Sequence, residues 1–263
     1  MKYSIHVPST LEEAFTIRSK VGGRYLAGGT VVLAIQKPAC DLVSLSRIPG
    51  LSSIERKGDC IEIGGGTTFD ALDRSPLIKS RLTALWQASH ELAGPQIRNV
   101  ATIGGNIGSM SPSADSVTAL MALDASVRLF SMEGGKPCRR TVPIRELSLA
   151  EGEIIEAVII RDDVDGSVFE KVGKRNAMAV SVVNMAVARV GKKISVAVGS
   201  AAPNVVYCRR TSEILSLDCT DMMAAKAAIL EEISPKDDRW GTVEQKRIVC
   251  VNMLEKLVGE VSV

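Results

Sequence analysis

The chain has 263 residues, 46% hydrophobic, 24% charged and 3% aromatic, a composition that excludes disordered and collagen-like chains and fits one large or two modest domains. Its 32 basic and 30 acidic residues leave a net charge of +2, which with so few aromatic rings excludes nucleic-acid or membrane binding driven by bulk charge or base stacking. Six cysteines without a C-x-x-C spacing, and only His6 and His90, exclude a zinc or iron–sulfur site built from local motifs.

The N-terminus, MKYSIHVPSTLEEA, turns polar too early for a signal sequence. No run approaches the roughly 18 apolar residues of a membrane helix. Together with dispersed thiols, these features predict a cytoplasmic protein. Ser9-Thr10-Leu11-Glu12 predicts a capping box before a helix near 10–20, stopped by Gly22-Gly23. A short strand follows at Arg24 to Ala27, then Gly28-Gly29-Thr30, an apolar stretch to Lys37 ended by Pro38, and a strand at Asp41 to Ser46. This is a small β/α unit over residues 1–55.

IEIGGG (61–66) reads as a strand entering a glycine turn, and apolar spacing predicts a helix over 82–93. A polar, glycine-rich stretch covers 96–115, and Ser111-Pro112 opens a helix with proline in its first turn. Strands are expected at 125–132 and 153–161, with turns at 133–137 and 162–166. Residues 181–190 and 193–202 form a hairpin through Gly191-Lys192. Two helices close the chain. The last is capped by Thr242 and Gln245, ends at Gly259, and has Ile248, Val251, Leu254, Leu257 and Val258 as its apolar face. Strands and helices occur in blocks, which predicts an α+β fold with units at 1–55, 56–166 and 167–263.

AGGT (27–30) and TIGGN (102–106) are the informative motifs. Paired glycines mark tight turns, and they also permit close backbone approach and expose successive amides to an anion. Neither loop contains lysine, and Arg98 is the nearest base, so a phosphate here is held by amides, unlike in a P-loop. Gly64-Gly65-Gly66 lacks the last glycine of a dinucleotide fingerprint and reads as a strand-to-helix turn. Asp115 has two readings: a first-turn carboxylate favourable with the helix dipole, or an acceptor for sugar or ribityl hydroxyls.

In this order, AGGTVVLAIQK (27–37), LVSLSRIPGL (42–51), IEIGGGTTF (61–69) and TIGGNIGSMSPSAD (102–115) resemble the FAD-binding subunit of molybdenum hydroxylases. That family includes the xanthine, carbon monoxide and nicotine dehydrogenases. The resemblance continues through EIIEAVII (153–160), FEKVGKRNAMAVSVVNMAVAR (169–189) and PKDDRWGTVEQKR (235–247), and so spans essentially the whole chain. It implies a FAD-binding fold of the peptidoglycan-synthase and vanillyl-alcohol-oxidase type, followed by a C-terminal α+β domain. By matching motif it implies a pyrophosphate cradle at Leu26, Ala27, Gly28, Gly29, Thr30, Val31 and Val32. The second loop of that cradle is Thr102, Ile103, Gly104, Gly105 and Asn106. Asp115 is placed near the cofactor's sugar, and Leu92, Ile155 and Lys171 near the isoalloxazine.

The resemblance further implies a molybdenum-cofactor large subunit and a ferredoxin-like iron–sulfur small subunit. Electrons would pass through FAD here to NAD or another acceptor. It nominates no general acid or base in this chain. A stand-alone flavin oxidase and a flavin-less assembly subunit are the alternatives. Trp240 and Met110 depart from the family pattern, the latter as a residue that tightens the cofactor pocket.

Overall fold

In the computed structural model, which describes residues 4–36, 40–175 and 178–262, Thr10 starts the first helix and Gly22 ends it. Lys37, Pro38, Asn176 and Ala177, which belong to the quoted motifs, lie outside the described residues. The Thr10 hydroxyl accepts from the Glu13 amide at 3.1 Å, and Gly22 adopts φ +60° at the end of α1 (Leu11–Val21). The cap is therefore one residue later than the Ser9-to-Glu12 box. Glu13 accepts from the Ser9 amide at 2.7 Å and the Ser9 hydroxyl at 3.0 Å, so its return bond falls on the residue before the cap and not on the Thr10 amide of a reciprocal capping box. Beside α1 lies a three-stranded parallel sheet in the order β1 (Ile5–His6), β3 (Leu42–Ser44), β2 (Arg24–Leu26). The apolar stretch after the first glycine loop is a π-helical turn, Val32–Gln36.

A second, antiparallel sheet has the order β4 (Ile54–Lys57), β5 (Cys60–Gly64), β8 (Ile154–Arg161), β6 (Ser126–Glu133), β7 (Lys136–Pro143). Between β5 and β6 run α2 (Phe69–Arg74), α3 (Pro76–Arg81), α4 (Thr83–Glu91), α5 (Pro95–Arg98), α6 (Ile103–Gly108) and α7 (Asp115–Ala122). They cover one face of the sheet and bury Phe69, Leu85, Ile103 and Leu120 against Ile61, Val127 and Val158. Ser111-Pro112 does not open α7. The Pro112 carbonyl accepts from Ser200, and Ser111 and Ser113 bond each other in a turn, so the helix begins at Asp115. The 96–115 stretch holds two short helices rather than continuous loop.

The third sheet runs β12 (Val206–Tyr207), β11 (Lys193–Gly199), β10 (Ser181–Val190), β9 (Gly166–Gly173). Three helices rather than two follow: α8 (Arg209–Leu217), α9 (Met222–Glu232) and α10 (Val243–Val261). Thr242 and Gln245 form the expected capping box on α10. Its core face differs from the expected one. Ile248 is 54% exposed, whereas Cys250, Met253, Leu254, Leu257, Val258 and Val261 are buried. Buried Lys246 donates to Asp238 (2.6 Å) and to the Lys236 carbonyl (3.0 Å), which ties α10 to the turn carrying Trp240. Met110 is 55% exposed, so it does not tighten the cofactor pocket. Among the described residues no helix is long and apolar enough to cross a membrane.

Candidate functional site

The two glycine loops face each other, but they do different work. β2 ends at Leu26, whose carbonyl accepts from the Leu45 amide, and the chain then leaves the sheet. Gly29 turns it at φ +72°, a conformation unfavourable for any residue with a Cβ. Among the described residues the amides of Gly28, Gly29, Thr30 and Val31 donate to no protein acceptor. Four successive unpartnered donors in one turn form an anion-binding concavity.

The second loop has already spent its amides. Ile103 donates to the Thr67 carbonyl (2.9 Å), Gly104 to that of Gly65 (2.8 Å) and Gly105 to the Thr102 hydroxyl (3.1 Å). The N-terminus of α6 is thus not the free anion site that a glycine loop before a helix suggests. Its glycines serve close packing instead. A Cβ on Gly104 would lie 2.6 Å from the Gly65 carbonyl oxygen. A Cβ on Gly28 would overlap the Val100 carbonyl, so the first loop sits directly on the lead into the second. Asn106 contributes a side chain: its Oδ1 accepts from Ser116 at 2.6 Å, and among the described residues its Nδ2 has no protein partner at the wall.

Between the loops lies a cleft of about 320 Å³, at the lower end of the range typical of cofactor pockets. Ala27, Gly28, Gly29, Thr30, Val31, Val32, Thr102, Gly104, Gly105, Asn106 and Ile155 line it. Leu26 and Ile103 stand behind the wall, Ile103 fully buried. The glycine turn of 65–66, Arg18, Tyr25, Leu149, Gly152 and Glu153 also line it and are not apparent from the sequence. Arg98 does not face a phosphate, since its Nη1 donates to the Leu92 and Ala93 carbonyls.

Asp115, Lys171 and Leu92 lie away from the lining. Asp115 is 7% exposed and accepts from Lys171 (2.8 Å), Ser181 (2.9 Å) and Asn184 (2.6 Å). Lys171 also donates to the Glu91 carbonyl at 2.8 Å, and Thr118 donates to Asn184 Oδ1 at 2.8 Å. This network joins α4 and α7 to β9 and β10. Gly199 leaves room for it, because a Cβ there would collide with Asn184. Burial also pushes the Glu91 carboxyl above its ordinary value.

Arg140 grips Glu153 with Nε at 2.6 Å and Nη2 at 2.7 Å, and the Ala150 amide adds a third bond. These hold the Glu153 carboxyl below its ordinary value of 4.5. A depressed folded value contributes stability that is present above the unfolded value and lost as pH falls through the folded one. Arg140 is 43% exposed, so the effect is screened and small. Arg140→Met should therefore lower the unfolding midpoint at neutral pH and narrow its gap from wild type at pH about 3. A gap that widens on acidification contradicts this pairing.

The cradle fits a cofactor diphosphate: four free amides and the Asn106 amide group line one space, and the first loop can sit this close to the second only because Gly28 carries no Cβ. Residues 1–160 match the model of the FAD binding domain in molybdopterin dehydrogenase, and residues 169–261 that of the CO dehydrogenase flavoprotein C-terminal domain. The putative xanthine dehydrogenase FAD-binding subunit of Escherichia coli is 30% identical, over 98% of this chain and 95% of its own length. The carbon monoxide dehydrogenase medium chain of Hydrogenophaga pseudoflava is 27% identical, over 98% and 96%. The fold superposes on a chain of the reconstituted CO dehydrogenase from Oligotropha carboxidovorans with a TM-score of 0.90 at 25% identity, covering 98% of this chain and 97% of that one. The glycine cradle and these matches agree: the chain belongs to the family of FAD-binding subunits of molybdenum hydroxylases, flavoprotein oxidoreductases.

Proposed function

We propose that this chain is the flavin-bearing member of a complex in which a partner large subunit oxidises the substrate at a molybdenum cofactor. A small iron–sulfur subunit delivers the electrons, and NAD or another acceptor removes them. FAD, when bound, supplies the exchange between one-electron and two-electron partners. The chain's own residues bind and orient it. The amides of Gly28 to Val31 hold the diphosphate without a lysine, Asn106 adds a donor, and Ile155 and Val32 wall off water. The observation that supports this reading best is the set of four unpartnered amides set against the packed second loop.

Glu153 on the cleft wall and the chain's two histidines, which lie away from the lining, are occupied structurally. Glu153 is paired to Arg140, His90 to Asp73 at 3.0 Å and His6 to Asp41 at 2.9 Å. None stands free to activate an organic substrate. The purified chain should therefore show flavin absorption and release FAD on denaturation, yet turn over no organic substrate alone. Addition of the two partner subunits should allow substrate to bleach the flavin band. Steady turnover by the isolated chain, given only flavin and substrate, would instead support a stand-alone flavin oxidase.

A further inference from the structure

The turn before α10 carries chemistry that the cleft does not use. Residues 174–175 and 236–246 hold five cations and three carboxylates, so the region is net positive. They form one structure: Lys174 donates to the Arg239 carbonyl, and buried Lys246 donates to the Lys236 carbonyl at 3.0 Å. The aspartates are committed inward. Asp238 accepts from the Trp240 amide (2.8 Å), the Gly241 amide (3.0 Å) and Lys246 (2.6 Å), and Asp237 accepts from the Val243 amide at 2.6 Å. Lys174, Arg175, Lys236 and Arg239 are exposed, and among the described residues none of them is salt-bridged; the ion pair of this turn is that of Lys246 with Asp238. The turn is also braced. Asp238 donates its amide to the Gly241 carbonyl at 3.1 Å, and Trp240 packs on the core of the third sheet. The Arg239 guanidinium lies over the Trp240 ring, 4.6 Å from its centroid.

We infer that this turn is the docking surface of the electron acceptor, and that the acceptor is an acidic electron-carrier protein. The inference rests on the FAD reading above. Three physical contrasts select this occupant. A nucleotide needs a concave, largely apolar pocket, whereas the four exposed cations line neither the cleft nor the smaller cavity beside Arg189. An obligate subunit covers a large and more apolar face, whereas this surface is charged. Charge of one sign on a fixed surface speeds encounter and makes it salt-dependent, which suits a carrier that must leave with its electron after each visit. Arg and Trp, stacked here, are also the residues that most often carry binding energy at interfaces. A run of contacts joins the turn to the cradle. Arg175 Nε donates to the Met178 carbonyl at 3.1 Å, a Cβ on Gly94 would stand 3.0 Å from the Met178 sulfur, and beyond α5 the Val100 carbonyl meets Gly28. Two encounters balance one reduced flavin: each carrier takes one electron, and the protons pass to solvent.

The test uses the FAD-loaded full chain, reduced with dithionite in the absence of air and mixed with one acceptor at a time. The acceptors are oxidised rubredoxin (an acidic one-iron carrier), cytochrome c (a basic carrier), NAD and a neutral quinone. Rubredoxin should reoxidise the flavin faster than cytochrome c does. Its rate constant should fall about tenfold as salt rises from about 20 to 300 mM, because the Debye length shrinks below about 10 Å over that range. Lys236→Glu combined with Arg239→Glu should slow rubredoxin about tenfold, speed cytochrome c, and leave the quinone within twofold. Lys192→Glu is the control. It is exposed on the hairpin turn, roughly 30 Å along β10 from Val182, the strand residue against Gly241, and should leave every rate within twofold. All three side chains are exposed, so the unfolding midpoints should stay near wild type. Three patterns overturn the inference while leaving the FAD reading intact. In the first, the rubredoxin rate ignores salt and the double reversal, or falls equally with Lys192→Glu. In the second, the double variant slows NAD instead of rubredoxin, which makes the turn a site for nucleotide phosphates. In the third, every acceptor is slowed equally, quinone included, which places the effect on the flavin itself. A chain that holds no flavin would overturn the FAD reading, and this inference with it.

Discussion

Gly28→Val is expected to abolish FAD binding and to lower the unfolding midpoint. A Cβ at Gly28 overlaps the Val100 carbonyl and would stand 2.9 Å from the Ala101 Cα. Both are backbone atoms held in place by the Phe69 and Ile103 amide bonds on either side of Thr102, so neither can yield cheaply. Overpacking of this kind costs about 1–3 kcal/mol, or roughly 2–12 °C in a chain of this size. The effect on the cofactor is larger. Parting the loops takes the four free amides off the diphosphate, and each hydrogen bond to a charged group is worth about 1.5–3 kcal/mol. Losing even two weakens binding by more than about a hundredfold.

Gly29→Ala and Gly58→Ala calibrate this result. Their φ values are +72° and +62°, so both carry a left-handed penalty of about 1–2 kcal/mol. Gly58 faces open space on a hairpin far from the cleft. The two variants should lose comparable stability, while only Gly29→Ala loses flavin. Full flavin content in Gly28→Val, or equal flavin loss in Gly29→Ala and Gly58→Ala, would remove the cradle from the binding site.

The two glycine turns that face each other across the cleft are legible because Gly-Gly beside a hydroxyl is a local signal, and local signals survive in sequence. Their division of labour is not. Gly65 and Thr67 consume the amides of Gly104 and Ile103 across a separation of more than thirty residues, and no spacing rule announces that. The short helices around them were hidden for a related reason. α6 contains three glycines in six residues, each costing about 1 kcal/mol relative to alanine. It forms because Thr102 caps it and the 65–67 turn holds its first amides. β7 escaped because KPCRRTVP is polar, exposed and bounded by prolines, the mark of an edge strand rather than a core one. The α10 face slipped for another reason. Ile248 is as apolar as its neighbours, and only the packing of Cys250, Met253 and Val261 on the third sheet shows which stripe is inside. Arg18, Tyr25 and Glu153 carry no motif at all. The β7–β8 connection brings them to one end of the cleft from positions more than a hundred residues apart.

Asp115→Ala is expected to act on the fold more than on the cofactor. The resemblance places this carboxylate beside the cofactor's sugar, and the helix-dipole reading gives it a minor role at the start of α7. The geometry favours a third role. One oxygen accepts from Lys171, the other from Ser181 and Asn184, and the Lys171 side chain is only 7% exposed. Removing the acid leaves a buried ammonium without its counter-charge, which costs about 3–5 kcal/mol. For this size of chain that is roughly 6–20 °C of unfolding midpoint. Lys171→Met in the same chain removes the stranded charge and should restore most of the loss, because a buried pair and its apolar replacement are often near equal in stability. The double-mutant cycle should thus show strong coupling between the two sites. FAD affinity, measured below the lowered midpoint, should change by less than tenfold. A dissociation constant that rises ten- to a hundredfold while the midpoint barely moves would return Asp115 to the cofactor. It would then make the bonds from Lys171, Ser181 and Asn184 the means by which the acid is aimed.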